Sequence, residues 1–141
     1  MPYIAFNTAN GCRIILEVSL PDKNSNMSIK KISRESIVMN KIPDGIWSGS
    51  NIAEVLPATG DTKMSCGIHE LFASETVVEK SPVDDVLYVL EGELEIDSDG
   101  TVEKYKAGDF AYLRAGVRQK FIVRNRVKHI YVSYPCNWSS E

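Results

Sequence analysis

The stretch VDDVLYVLEGELEI, residues 83–96, contains two short runs of strand-like alternation separated by Gly92. A glycine inside a strand pattern marks a bend, a bulge or a close approach of two backbones. We therefore predict that the chain turns a sharp corner at Gly92. The segment DSDG at 97–100 predicts the hairpin turn that follows, because Asp99 and Gly100 both tolerate a positive φ angle.

Short strand-like segments bounded by Gly, Pro, Asp or Asn recur along the chain. Further segments lie at residues 12–18, 28–39, 63–72, 76–80, 101–109, 110–116, 118–125 and 127–135. Strands at such regular intervals are typical of an all-β sandwich or barrel. Helix signals are scarce by comparison. NIAEVL at 51–56 is a candidate for one helical turn, capped by Ser50 or Asn51 and stopped by Pro57.

The length, composition and charge of the chain indicate a one-domain protein without membrane or nucleic-acid partners. The chain has 141 residues, of which 43% are hydrophobic, which suits one domain with a substantial core. Its apolar runs are far shorter than the ~20 residues that cross a bilayer, and its start lacks a signal peptide. We therefore expect a cytoplasmic protein without a membrane partner. The net charge of -3 argues against nucleic acid as a partner, and the 3 widely spaced cysteines indicate reduced thiols.

A cluster of cations in the last third of the chain is a local exception to this acidic balance. Its members are Arg114, Arg118, Lys120, Arg124, Arg126 and Lys128. The cluster could form a surface that attracts anions. On an extended strand, however, alternate residues share one side, and this spacing is also the pattern of a solvated outer sheet face. We favour the outer-face interpretation.

Four segments resemble the cupin superfamily, and the EutQ-type cupins of ethanolamine utilisation in particular. DVLYVLEGELEI at 85–96 and AGDFAYLRAGVRQKFIV at 107–123 resemble the two cupin motifs. MSCGIHEL at 64–71 and IYVSYPCNW at 130–138 resemble a strand and the closing signature of the EutQ type. The resemblance covers about residues 28–138.

This resemblance implies an all-β fold, a double-stranded β-helix or jelly-roll barrel, over residues 28–141. Residues 1–27 would precede the barrel as an N-terminal strand pair or an arm. We expect this segment to add strands at a sheet edge, with exchange across a homodimer, because the open edges of a jelly roll need cover.

The histidines that hold a metal in other cupins are missing from the matching positions. No imidazole lies around Glu79, where a His-x-His pair would fall, and Gln119 stands where the second motif has a histidine. Asp85 alone occupies the position of the motif-one carboxylate. We therefore predict no metal and no cofactor. An oxygen-rich site for Mg²⁺ or Ca²⁺, built from Glu70, Glu79 and Asp85, is the alternative.

The predicted barrel interior is apolar with a few polar groups, which is typical of a small-molecule pocket. If Asp85 points inward, Leu87 and Val89 share its face, and Gln119 and Phe121 line the facing strand.

Desolvation would raise the pKa of Asp85, and we predict that it acts as a general acid or base with Glu70 as its partner. The alternative is a buried carboxylate that pins a corner of the fold. His69, Glu79 and Tyr112 complete the predicted ligand-binding set. Tyr88, on the opposite face from Asp85, is expected to point outward at a subunit interface.

Three functions remain open. The resemblance implies an accessory protein of ethanolamine utilisation, tied to a bacterial microcompartment, with a small molecule in its barrel. It also implies acetate kinase activity as an alternative, although phosphoryl transfer needs Mg²⁺ and cations that neutralise the phosphate. The third hypothesis is a docking module whose outer cations bind microcompartment shell proteins.

Overall fold

The structure, a computed structural model, describes residues 3–7, 13–17, 29–58 and 62–136, with the first two ranges described by their backbone. Within these ranges the strands are β1 Tyr3–Asn7, β2 Arg13–Glu17, β3 Asn40–Lys41, β4 Asn51–Leu56, β5 Ser65–Val78, β6 Asp84–Ser98, β7 Thr101–Lys106, β8 Phe110–Leu113 and β9 Gln119–Tyr134. A 3₁₀ turn spans Arg34–Ser36. None of the helical segments in these ranges has the length and apolar character needed to cross a membrane.

The strands form one large antiparallel sheet and one small one. β1 and β2 pair with each other in a separate two-stranded sheet, so the fold has the extra N-terminal strands that we predicted, but the described pairing does not add them to the edge of the large sheet. The remaining strands follow the order β3-β4-β5-β9-β6-β7, and β8 also pairs with β6. The first part of β6 pairs with β8 and its last part pairs with β7, while β9 runs beside it almost throughout. This rolled sheet confirms the predicted all-β jelly roll.

Gly92 marks the corner of β6, as the sequence predicts. Its φ angle is 79°, and a Cβ atom at this position would lie 2.0 Å from the carbonyl oxygen of Arg126 on β9. The pairing of β6 with β9 shifts register on both sides of the glycine. The strand therefore bends at a bulge, where two backbones touch, without losing its pairing.

The bulge also changes which residues face the core. Before the corner Leu87 and Val89 are buried, whereas after it the buried residues are Leu94 and Ile96. An extra residue in one strand shifts the alternation by one, so both halves of β6 keep their apolar side chains inside.

The two-residue hairpin after β6 is confirmed. Ser98 pairs with Thr101, and the intervening Asp99 and Gly100 have φ angles of 50° and 94°. Positive φ at both central positions is the geometry of the tight hairpin turn that matches strand twist.

Three local predictions differ from the structure. Within the predicted strand at 28–39, the described residues 29–39 form irregular chain around the 3₁₀ turn. NIAEVL at 51–56 is strand β4 and not a helical turn, because pairing with β5 buries Ile52 and Ala53. The segments at 63–72 and 76–80 join into the single strand β5, since a bulge bends the strand without ending it.

Replacing Gly92 with alanine is expected to cost about 2–4 kcal/mol of folding free energy, from backbone strain and the clash with Arg126. Gly108→Ala is the matched control, because Gly108 has a φ angle of 96° but no heavy atom lies within 4 Å of the position that a Cβ atom would take. It should cost only about 1 kcal/mol. Urea unfolding measures both, and equal losses would contradict the close approach of β6 to β9.

Candidate functional site

Polar side chains gather on the inner face of the barrel in three adjacent rows that cross the paired strands. Cross-strand pairing places the rows as Ile52, His69, His129 and Val89; Glu54, Gly67, Tyr131 and Leu87; and Ser65, Ser133, Asp85 and Leu113. Each row crosses β5, β9 and β6, so residues far apart in sequence meet inside the fold. The interior is therefore not a purely apolar core.

These rows form part of the wall of a cavity of about 110 Å³. Its apolar lining consists of Trp47, Ile52, Val78, Pro82, Val83, Leu87, Leu113 and Phe121. Its polar lining consists of Ser65, His69, Ser81, Asp85, Gln119, His129, Tyr131 and Ser133. One water needs roughly 10–15 Å³ of such space, so the cavity has room for one small organic molecule.

Asp85 is the carboxylate in this cavity. Ser133 Oγ donates a hydrogen bond to Asp85 Oδ1. Among the described residues, this hydroxyl is the hydrogen-bond donor to the Asp85 carboxylate. Burial raises the pKa of Asp85 to about 6, the Ser133 hydrogen bond lowers it in part, and the neighbouring Asp84 charge raises it. A carboxyl group with this pKa can accept or donate a proton near neutral pH.

Glu54 is a second carboxyl group, behind the cavity wall. Ser65 Oγ donates to Glu54 Oε1 at 3.5 Å, and Oε2 is buried without a hydrogen-bond partner among the described residues. Burial raises the pKa of Glu54 to about 7. Burial, and to a lesser extent the charge of Glu54, raises the pKa of the neighbouring Tyr131 hydroxyl. Two carboxyl groups with raised pKa values therefore lie in the same part of the barrel.

His69 and His129 are both buried, and their ring centroids lie 5.5 Å apart. The Ser50 hydroxyl donates to Trp47 O at 2.5 Å, so His69 Nε2, 2.8 Å from Ser50 Oγ, carries the proton of that contact. Burial lowers the pKa of His69 well below its usual range and that of His129 to about 4. Both rings are therefore neutral at physiological pH.

Trp47 closes one side of the cavity from a loop. Backbone hydrogen bonds from Ile42 to Ser50 O and from Gly49 to Ile42 O hold the loop in a compact turn. The indole ring packs against His69 at 5.1 Å and against Phe121 at 5.2 Å between centroids. This loop brings an aromatic face over the polar rows.

The cavity brings together five of the predicted site residues. Asp85, His69, Leu87, Gln119 and Phe121 all line it. Sequence reasoning missed His129, Trp47 and Glu54. The alternation that places Lys128 outside also places His129 inside, so that residue could have been found from strand spacing.

Glu70 is not a partner of Asp85, because it lies on the outer face of β5. It accepts hydrogen bonds from Asn51 Nδ2 at 2.9 Å and Arg126 Nε at 2.8 Å, and these contacts lower its pKa. Strand alternation explains the error: the neighbouring His69 and Leu71 are buried, so Glu70 points the other way.

Glu79 and Tyr112 also lie outside the cavity. Glu79 is exposed and pairs with Arg118 at 3.6 Å. Tyr112 is 64% exposed on the outer face of β8, whereas its neighbours Ala111 and Leu113 are buried. Neither side chain lines the cavity with Asp85.

The described residues do not fit a metal. Across the ranges that the structure covers, no group of three or more His, Cys, Asp or Glu side chains is arranged to hold an ion. The alternative cage of Glu70, Glu79 and Asp85 fails because these residues lie on different faces of the sheet. His69 Nε2 is in addition committed to Ser50.

Four of the six cations in the cluster are paired with acids. Arg118, Lys120, Arg124 and Arg126 form ion pairs with Glu79, Glu75, Glu95 and Glu70, respectively, and Arg126 also contacts Glu91 at 2.8 Å. These side chains form cross-strand pairs on a solvated sheet face, where each pair contributes little to stability. The charges of these four cations are therefore balanced by neighbouring acids.

A rolled antiparallel sheet with an interior cavity of this kind defines a cupin-type barrel. An RmlC-like cupin from Shewanella frigidimarina has the same fold, with a TM-score of 0.61 and 18% identity over 75% of this chain and 90% of that one. Residues 8–140 match the family of the ethanolamine utilisation protein EutQ, and the chain belongs to this family.

Individual EutQ proteins are also similar to this chain. The crystal structure of an ethanolamine utilization protein Q from Salmonella typhimurium superimposes with a TM-score of 0.64 at 18% identity, covering 96% of both chains. A Clostridioides difficile protein named acetate kinase EutQ is 30% identical over 80 residues, which cover 56% of this chain and 50% of that protein. The chain thus spans half or less of the length of the curated relatives it matches.

The raised pKa of Glu54 predicts a pH-dependent cost to stability. Between the ordinary glutamate pKa of 4.5 and about 7, the folded state binds more protons at Glu54 than the unfolded state does. The wild type should therefore lose stability at this site as pH rises through that window, and Glu54→Gln should not. We expect the variant to gain on the order of 1–3 kcal/mol relative to wild type across the window.

Urea unfolding at several pH values measures this difference. Glu103→Gln, which removes an exposed acid, is the matched control and should follow the wild-type pH dependence. Parallel curves for wild type and Glu54→Gln would show that Glu54 keeps an ordinary pKa in the folded protein.

Proposed function

We propose that this protein is a EutQ-like accessory protein of ethanolamine utilisation that binds a small molecule in its barrel and works with a bacterial microcompartment. The observation that carries the binding proposal is the cavity itself. It joins apolar walls to a few converging polar groups, among them Asp85, Gln119 and two neutral imidazoles. Such a combination is the usual composition of a site that binds and orients a small ligand.

The acetate kinase name of the curated relatives suggests phosphoryl transfer as an alternative. That reaction needs cations that neutralise the phosphoryl oxygens as charge develops. No lysine or arginine is among the described residues that line the cavity. The outer cations that pair with acids are also already neutralised. The geometry of the described chain therefore favours binding of a small molecule over phosphoryl transfer in the barrel.

A larger side chain inside the cavity should abolish binding. Leu113 lines the cavity next to Asp85, its partner on β6, so Leu113→Trp fills part of the cavity. Tyr112→Trp, one residue away on β8, points outward and should have no effect. The measurement is a ligand-observed NMR screen of molecules of two to eight heavy atoms, including ethanolamine and acetate, against both variants and wild type.

Binding to wild type and Tyr112→Trp but not to Leu113→Trp is the expected result. Circular dichroism checks that both variants are folded. Binding that survives in a folded Leu113→Trp protein would place the ligand outside the barrel, and a screen without any binder would contradict the proposed function.

We also propose that the apolar outer face of β6 and β8 forms a homodimer interface. Phe110 is 67% exposed, Tyr112 is 64% exposed and Val86 is 40% exposed, and Tyr88 packs on Phe110 at 4.6 Å between centroids. Cross-strand pairing makes these side chains neighbours on one face. Contiguous exposed aromatic and aliphatic side chains are typical of protein contacts. Because the face is uncharged, it suits an equally uncharged copy of itself.

Phe110→Asp should convert the dimer to a monomer, because a carboxylate would have to be buried without a partner. Arg124→Asp, on the ion-paired part of the surface, is the control and should leave the dimer intact. Light scattering after size-exclusion chromatography gives the mass of each. A wild type that is monomeric at all concentrations, or a dimer that persists in Phe110→Asp, would contradict this interface.

The same Arg124→Asp variant bears on docking to a microcompartment shell. Since Arg124 contacts Glu95 at 3.2 Å, the two side chains together present no net charge to a partner. This contact weighs against shell docking through the outer cations. We therefore expect that shell proteins that co-purify with the wild type also co-purify with Arg124→Asp.

A further inference from the structure

We propose that the barrel cavity selects a small organic cation, such as a primary ammonium ion, with Asp85 as its counter-ion and Trp47 and Phe121 as aromatic walls. This inference rests on the proposed function, because it names the chemical class of the ligand for the same cavity. It arises from the balance of charges around the cavity and from the aromatic side chains that line the same cavity as Asp85.

The charge of Asp85 has no counter-ion among the described cavity residues. Its described hydrogen-bond donor is the neutral Ser133 hydroxyl, and the described cavity lining contains no lysine or arginine. The imidazoles of His69 and His129 are neutral because burial lowers the pKa of each. A carboxylate held in a partly desolvated site without a cation is costly, and a bound cation offsets that cost.

A second acid strengthens this negative field. Glu54 lies behind Ser65 and beside Tyr131, and its charge, like that of Asp85, adds to the effect of burial in raising the pKa of the Cys136 thiol. The two carboxyl groups therefore act on the same small region. An anionic ligand would be repelled there, whereas a cation would be attracted by both acids.

The aromatic walls suit the same ligand. Trp47 and Phe121 line the cavity and pack against each other at 5.2 Å between ring centroids, and the Tyr131 ring also lines it. An organic cation gains both from the negative faces of such rings and from burial of its carbon atoms. A bare metal ion gains little from these walls, and the described residues hold no metal-binding group of three ligands.

The ligand must also be small. A cavity of about 110 Å³ suits a molecule with few heavy atoms. Serine hydroxyls, the Gln119 amide and the Asp85 carboxylate provide acceptors for the three hydrogens of a primary ammonium group. We therefore assign the site to short amines that carry one polar substituent, and not to carboxylates or phosphates.

The test compares three probes of similar size that differ in charge: ethanolamine as the cation, ethylene glycol as the neutral isostere and acetate as the anion. Isothermal titration calorimetry at pH 7.5 measures binding to the full chain. Wild type should bind ethanolamine on the order of tenfold or more tighter than the other two probes. Asp85→Asn, which keeps the shape of the side chain, should remove this preference.

Glu79→Gln is the matched control, because it removes the same unit of charge from the outer surface and should leave the preference unchanged. Equal binding of ethanolamine and ethylene glycol, or tighter binding of acetate, would overturn the selection of a cation while leaving small-molecule binding in place. If none of the three probes binds while the fragment screen finds a neutral or anionic ligand in the barrel, the cation assignment alone fails. If neither experiment finds a ligand, both proposals fail.

Discussion

The pairing of β6 with β9 across the corner at Gly92 is the constraint on which the rest of the barrel depends. The two backbones approach so closely there that a Cβ atom would meet the Arg126 carbonyl. The bulge at this corner lets β6 pair with β8 before it and with β7 after it. The bulge also determines which residues in each half of β6 point inward. Before the corner that set contains Asp85, Leu87 and Val89, so a backbone contact determines that a carboxylate enters the cavity.

The acidic side chains in the polar rows lower the stability of the folded protein, and we propose that they contribute to ligand binding. Burial raises the pKa of Asp85 to about 6 and that of Glu54 to about 7, so keeping either group ionised costs folding free energy. A structure without a role for these acids would gain by replacing them with apolar side chains. These acids lie beside a cavity with aromatic walls, and a cation bound in the cavity would offset the free energy that their ionisation costs.

Much of the fold could be predicted from sequence, because short-range patterns determine it. Alternation and glycine placement predict most of the strands, the Gly92 corner and the inward face of β6. The errors in the site prediction are of two kinds. The site prediction groups Glu70 and Tyr112 with Asp85, although both side chains point outward. Counting the alternation from their buried neighbours would have corrected each prediction. Trp47 and Glu54 could not be found this way, because a loop and a bulged strand bring them to the site.

Titration of Asp85 tests whether this carboxylate, which has no lysine or arginine beside it in the described cavity lining, binds a cationic ligand. Carbon-detected NMR of the Asp85 carboxyl group, titrated with and without saturating ethanolamine, measures its pKa directly. We expect a pKa of about 6 in the free protein and a lower value with the amine bound, because a nearby positive charge favours the ionised form. An ordinary aspartate pKa that the amine leaves unchanged would contradict this expectation.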